Sequence, residues 1–299
     1  MDTNWGIIGH QNIVSYLENC LKKNKLVQTY LFYGIRHLGK TTVALKFTKL
    51  ILNKSLGHHP DLFELKLQEG KKDISIDQVR DWQHWLTFKS FTNGYKVGII
   101  RQAENLNEES SNALLKTIEE PTIRTILILI SSASEQLLPT IISRSQKIHF
   151  LRVGTKEIAS AISQRVDDSK KLKEILAFSL GRPGLAIKFC EDEEFFNNYL
   201  KLHEKVTNLF DTPLIKRFEF VEQYLTNKDY QENLEKVLNF LRHWEFILRE
   251  RMILNLASEQ TGQGRKKFIQ PLDLLIKTKQ ILEDNVQPRL ALENLLINL

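Results

Sequence analysis

Cysteine is almost missing from this chain of 299 residues, which has only Cys20 and Cys190, far apart in sequence. Two such residues cannot make a four-cysteine zinc site, and they fit a reducing compartment better than a disulfide scaffold. Long apolar runs are missing too. None reaches the roughly 18 residues that a membrane span requires. The opening Met1-Asp2-Thr3-Asn4-Trp5 lacks the basic start and apolar core of a signal peptide. A cytoplasmic location with no membrane partner is therefore expected. There is no internal repeat and no low-complexity tail. The charge imbalance is small, +6 with a pI near 9.1, which permits contact with nucleic acid without demanding it. A hydrophobic content of 42% and a charged content of 26% are those of a soluble globular protein. The length exceeds one ordinary core and predicts about two or three domains.

Through the first 150 or so residues, short apolar runs alternate with amphipathic stretches. Strands are predicted at Tyr30 to Tyr33, Leu62 to Leu65, Val97 to Ile100 and Ile126 to Ile130, with Ile148-His149-Phe150 as a fifth. Helical periodicity runs from Gln11 to Lys23, Thr41 to Leu52, Ile76 to Phe88 and Glu108 to Glu119. Alternation of this kind predicts an α/β fold, a parallel sheet covered by helices on both faces. Ile126-Leu127-Ile128-Leu129-Ile130 is apolar at every position, as a strand buried on both faces should be. After about residue 151 the strand signals stop. Gly181-Arg182-Pro183-Gly184 punctuates a small helical region, and from about residue 193 everything reads as helix. The clearest case places Leu234, Val237, Leu238, Leu241, Trp244, Leu248 and Met252 on one face. A polar break, Gln260 to Gly264, separates it from the last helices. The expected domains are residues 1–152 (α/β), 153–192 (small helical) and 193–299 (larger helical).

Gly34-Ile35-Arg36-His37-Leu38-Gly39-Lys40-Thr41 matches the phosphate-loop pattern G-x-x-x-x-G-K-[ST] at every fixed position. Gly34 and Gly39 let the backbone turn tightly, so that amide N–H groups point at phosphate oxygens. Lys40 is expected to reach the β- and γ-phosphates and the Thr41 hydroxyl to hold Mg²⁺, with Thr42 beside it. The following helix adds its positive N-terminal dipole. Four fixed positions recur by chance in a chain this long at about one per cent. The preceding strand and the following helix, with Val43, Ala44, Phe47, Leu50 and Ile51 on its apolar face, make chance less probable still.

An ATPase built on such a loop also needs a carboxylate at the end of a neighbouring strand for Mg²⁺, and a Glu or similar group to orient water. After Lys96-Val97-Gly98-Ile99-Ile100 the chain instead reads Arg101-Gln102-Ala103-Glu104. Arginine cannot ligate a cation and glutamine is a poor base. Glu104 lies three residues further on; it either rescues metal binding or is a helix-side or loop carboxylate facing away. Nucleotide binding is expected, and hydrolysis by this chain alone is not. His58-His59 lacks partners and is expected to face solvent rather than a metal.

Asn112-Ala113-Leu114-Leu115-Lys116-Thr117-Ile118-Glu119-Glu120-Pro121 resembles a signature of AAA+ clamp-loader subunits, and Leu138-Pro139-Thr140-Ile141-Ile142-Ser143-Arg144-Ser145 is similar to another. Ile8-Gly9-His10-Gln11, Tyr30 to Gly34 and Pro288 to Glu293 agree as well, so the likeness runs from end to end. Within that family of bacterial DNA polymerase III subunits the chain most resembles the delta-prime branch. The resemblance implies an AAA+ P-loop domain, a helical lid and a helical collar in a hetero-oligomeric, pentameric complex. That complex acts on a sliding clamp and primer–template DNA. It also implies that Arg144 is an arginine finger, reaching in trans to the γ-phosphate of a neighbouring subunit. The same helix has a local reading: Asn107 as N-cap, Glu108 and Glu109 in the first turn, Leu114, Leu115 and Ile118 buried, and Pro121 as stop.

The chain departs from the family in several places. Ser145 replaces the usual cysteine, and the zinc module found in many relatives after the P-loop helix has no cysteines here, so no zinc is expected. In motor subunits a lid arginine senses the γ-phosphate. In Gly181-Arg182-Pro183-Gly184-Leu185-Ala186 that place falls on Gly184, two residues from Arg182. These absences favour an ATP-binding stator over a motor. Two alternatives stay open: an ATP-hydrolysing motor subunit of gamma/tau type using Glu104, and a stand-alone DNA-binding NTPase, for which no DNA-reading motif is present.

Overall fold

The computed structural model describes residues 5–53, 59–68, 70–120, 122, 124–209, 212–226, 229–258, 263–284 and 286–298. The chain divides into two compact units, residues 1–192 and 193–299.

In the first unit helices and strands alternate: α1 (Gln11–Lys22), β1 (Thr29–Tyr33), α2 (Lys40–Leu52), β2 (Leu62–Leu65), α3 (Ile76–Thr87), β3 (Lys96–Arg101), α4 (Glu108–Glu119), β4 (Thr125–Ser131), α5 (Pro139–Ser143) and β5 (Gln146–His149). The strands form one sheet in the order β2-β3-β4-β1-β5, with every pairing parallel. The expected α/β architecture is the one observed. β4 is buried along its whole length between β3 and β1. Ile126, Ile128 and Ile130 join a core with Tyr30, Phe32 and Phe47, under α1 and α2. Leu127 and Leu129 face the opposite core with Trp82, Leu114 and Ile141, under α3, α4 and α5. Alternate side chains of one strand thus feed two apolar layers, which explains its unbroken hydrophobicity.

Local details follow from side-chain size and capping. Ser75 and Gln78 form a reciprocal capping box that starts α3. The Trp82 ring of that helix lies against Gly98, where a Cβ would collide with it. Asn107 caps α4 by accepting from the Ser110 N–H at 2.9 Å, as expected. Leu114 and Ile118 are buried, but Leu115 is only half-buried. Pro121 lies outside the described residues. In α2, Val43, Ala44 and Phe47 are buried, whereas Leu50 turns outward and is exposed. β5, expected at 148–150, runs from Gln146 to His149 and is exposed except at Ile148. It is an edge strand beside β1, so apolar pattern marks it poorly.

Three helices complete this unit: α6 (Thr155–Ile162), α7 (Ser169–Ser179) and α8 (Pro183–Glu191). Left-handed Leu180 and Gly181 end α7, and the Val153 N–H donates to the Gly181 carbonyl at 2.8 Å. Pro183 then opens α8, where a missing N–H costs nothing.

The second unit consists of α9 (Glu193–Leu209), α10 (Leu214–Tyr224), α11 (Tyr230–Ser258), α12 (Gln263–Glu283) and α13 (Pro288–Ile297). Val237, Leu241, Trp244 and Leu248 of α11 are buried as the periodicity requires, but so are Phe240, Phe246 and Ile247. The helix is covered on more than the one predicted face. Of the predicted polar break, residues 260–262 lie outside the described residues, while Gln263 and Gly264 belong to α12. Arg217 of α10 donates to the Leu296 carbonyl of α13 at 2.9 Å. No described helix is long and apolar enough to cross a membrane.

Candidate phosphate-binding site

The loop after β1 is shaped by its two glycines. Gly34 has φ 137°, and a Cβ there would collide with the Phe150 carbonyl oxygen. Gly39 has φ 89° and precedes the first residue of α2. Both conformations are open to glycine and strained for side-chain-bearing residues. Leu38 plugs the loop into the core. The His10 ring meets the Leu38 carbonyl at 2.9 Å through Nε2, and burial holds its pKa below the ordinary value. Nε2 is therefore the donor in the neutral ring.

Strand register decides what surrounds the loop. Ser131 lies opposite Tyr33, the last residue before Gly34, and Ile130 lies opposite Arg101. The carboxyl ends of β1, β4 and β3 therefore converge, the usual place for a ligand in an open α/β sheet. A cavity of about 480 Å³ opens there, and Gly39, Lys40, Thr41 and Thr42 all line it. Gly34 shapes the loop from outside the lining.

Lys40 is buried, only 7% exposed. Its Nζ donates to the Ile35 carbonyl at 2.8 Å and to the Gly34 carbonyl. Burial pushes its pKa down to about 8; nearby Glu104 opposes that shift and Arg36 adds to it.

Glu104 does not face away. It sits in the 3₁₀ turn Ala103–Asn105 and lines the cavity. One carboxylate oxygen accepts from the Ser132 hydroxyl and the other from the Ser132 N–H at 3.2 Å. The turn begins at Gln102, whose left-handed φ of 55° redirects the chain. Sequence spacing alone did not reveal that turn. Arg101 also lines the cavity, and its guanidinium pairs with Glu64 of β2. Ser132 and Arg36 were missed as cavity residues, although a serine pair closing an all-apolar parallel strand was a usable signal.

Gly184 reaches the same cavity from the start of α8. Its N–H donates to the His37 carbonyl at 2.9 Å, and a Cβ there would stand 3.0 Å from that oxygen. Arg144 is not part of the cavity. It caps α5, with its side chain 44% exposed and paired with Glu119 of α4 at 2.9 Å.

Among the described residues no group of three or more His, Cys, Asp or Glu is placed to hold a metal. His58 lies outside the described residues. His59, expected to face solvent, is half-buried in the turn before β2, and its Nδ1 accepts from the Asp61 N–H at 3.1 Å. For Mg²⁺ the cavity offers the Thr41 hydroxyl and a Glu104 carboxylate whose two oxygens are already engaged. That donor set lacks the strand-end carboxylate of a phosphate-loop motor's Mg²⁺ site and does not fit it.

The family model described as "DNA polymerase III, delta subunit" matches residues 9–154. The chain is similar to DNA polymerase III subunit delta' of Haemophilus influenzae, with 35% identity over 233 residues, covering 75% of this chain and 70% of that protein. The chain belongs to the DNA polymerase III delta-prime family. Its delta-prime relative in Pseudomonas aeruginosa is 33% identical over 52% of this chain and 53% of that protein. Subunit tau of Bacillus subtilis is 30% identical over 54% of this chain but only 31% of its own length. In overall fold this delta-prime family member is similar to the crystal structure of a DNA polymerase III gamma subunit-related protein from Thermotoga maritima. That match has a TM-score of 0.54 at 17% identity, covering 94% of this chain and 97% of that one.

Proposed function

We propose that this chain is the stator of a DNA polymerase III clamp loader, a subunit that binds ATP without hydrolysing it alone. In this reading residues 1–152 are the AAA+ nucleotide-binding domain, 153–192 the lid and 193–299 the collar that joins the other subunits. The complex is a pentamer acting on a sliding clamp and primer–template DNA. Gly34, Gly39, Lys40, Thr41 and Thr42 hold the nucleotide, and Arg144 acts in trans on the γ-phosphate of a neighbouring motor subunit. The observation that carries the reading is the charge reversal at the end of β3. Arg101 and Gln102 line the phosphate cavity where a motor needs carboxylates for metal and water. Gly184, rather than an arginine, occupies the lid's approach to the loop.

One observation favours the second reading, an ATP-hydrolysing motor of gamma/tau type: Glu104 does face the cavity. Its two hydrogen bonds from Ser132 hold the carboxylate at the end of β4, which weighs against a role as base. The test is ATP turnover by the reconstituted loader containing Arg144→Ala, beside turnover by the purified chain alone. The stator reading expects slow turnover in the first, with nucleotide binding by this chain unchanged, and none above background in the second. Undiminished turnover with Arg144→Ala, or magnesium-dependent hydrolysis by the lone chain that Lys40→Ala abolishes, overturns it.

A further inference from the structure

The charged side chains lining the phosphate cavity are Arg36, Lys40, Arg101 and Glu104, three cations against one carboxylate. In a phosphate-loop enzyme the balance is different, because an acidic residue at the strand end holds Mg²⁺ and the metal supplies much of the positive charge that meets the phosphates. Here the cation at that strand end is covalently part of the protein. Arg101 is the last residue of β3, beside Ile130 of β4, and its side chain is 34% exposed. Glu64 engages one guanidinium nitrogen, and Nε makes no hydrogen bond, so Glu64 does not saturate the fork. A guanidinium is planar, always charged and presents donors at the spacing of phosphate oxygens. It also repels a divalent cation from the place where the missing carboxylate would have drawn one in. Glu104, the only carboxylate among the described residues of the lining, is held by Ser132.

We infer that this cavity takes a nucleoside polyphosphate as its free anion, with Arg101 as the built-in substitute for Mg²⁺. The inference rests on reading Gly34 to Thr41 as a nucleotide site and adds which form of the nucleotide is bound. The site then differs from a motor's in kind. It retains the nucleotide as a structural anion and lacks the metal that would polarise the γ-phosphate for attack.

Isothermal titration of the full chain with ATP, in millimolar Mg²⁺ and again in excess EDTA, tests this without any variant. Binding is expected to be tighter in EDTA by about tenfold or more, since Mg²⁺ in solution chelates ATP and competes with the site for the free anion. Arg101→Ala is expected to weaken binding in EDTA by about tenfold or more, the loss of one charge-assisted contact. Arg101→Asp should bind only when Mg²⁺ is present. Thermal unfolding of each variant checks that it folds; where one does not, the wild-type pair of titrations decides alone. Binding that is equal or tighter in Mg²⁺ overturns the inference and leaves the nucleotide site standing. No binding in either buffer overturns both.

Discussion

Lys40 and Arg144 are two cations placed in opposite surroundings, and the contrast separates what this chain holds from what it offers. Lys40 is 7% exposed, its ammonium fixed by the Ile35 and Gly34 carbonyls in a loop that only glycines at 34 and 39 allow. Burial has already lowered its pKa to about 8. Such a group is organised for an anion that comes to it. Arg144 caps a five-residue helix, its side chain 44% exposed and answered by a carboxylate that is itself 46% exposed. Pairs of this kind contribute about 0–1 kcal/mol, so Arg144 gives up Glu119 at small cost when a stronger anion arrives. A buried cation serves its own chain, whereas an exposed and weakly held one is fit to serve another.

Removing each cation sharpens that division, and Arg144→Ala has the largest expected effect. Loss of an arginine finger lowers phosphoryl-transfer turnover by on the order of a thousandfold. The fall should appear in the assembled loader, with ATP affinity of the isolated chain unchanged. Lys40→Ala should do the reverse. Its ATP affinity drops by roughly a hundredfold, the loss of charged hydrogen bonds in a buried site, while the assembled loader keeps most of its turnover. If the two variants damage turnover equally, the division between holding and offering fails.

A smaller effect comes from pH. Lys40 has a folded pKa of about 8 against an ordinary 10.5. Below pH 8 it is charged in the folded and the unfolded chain alike. Between those two values the unfolded chain binds more protons, so this group makes stability rise as pH climbs through that window. Nucleotide affinity moves the other way, because binding requires the charged form. Titrations should show a plateau below pH 8 and a fall of roughly tenfold one unit above it. An affinity that stays flat through that range would show that the phosphates do not depend on the Lys40 charge.

Much of this was legible in the chain itself, for physical reasons. β4 announces itself because both of its faces are buried, and the loop because φ values of 137° and 89° require glycine. The edge strand β5 and the outward turn of Leu50 were less legible, since exposure there is decided by neighbours distant in sequence. The same holds for Asp61, buried just before β2, where it accepts from Ser90, Phe91 and Thr92 of a distant loop. In the site, Arg101 and Gln102 at the end of β3 line the cavity, as the sequence order there suggested. The direction of Glu104 was not legible, because it depends on one left-handed residue, Gln102, to which pattern gives no weight. Ser132 escaped notice because its role arises only when β4 is aligned beside β3, which brings it to Glu104.

Glu119→Gln should produce the smallest change, and it tests the exposed half of the comparison most finely. The substitution removes the charge that faces Arg144 and keeps the shape of the side chain. If Glu119 merely parks the arginine between encounters, its loss leaves folding stability within about 1 kcal/mol. Turnover of the assembled loader then stays within about threefold of wild type, since the competing pair was weak in water. If Glu119 instead aims the guanidinium, turnover falls by tenfold or more while stability is unmoved, and Glu119→Asp restores part of it. The first outcome keeps Arg144 a loosely held cation whose geometry is set by the neighbouring nucleotide. The second transfers that work to α4, and with it explains why a glutamate closes the helix at residue 119 rather than any other polar residue.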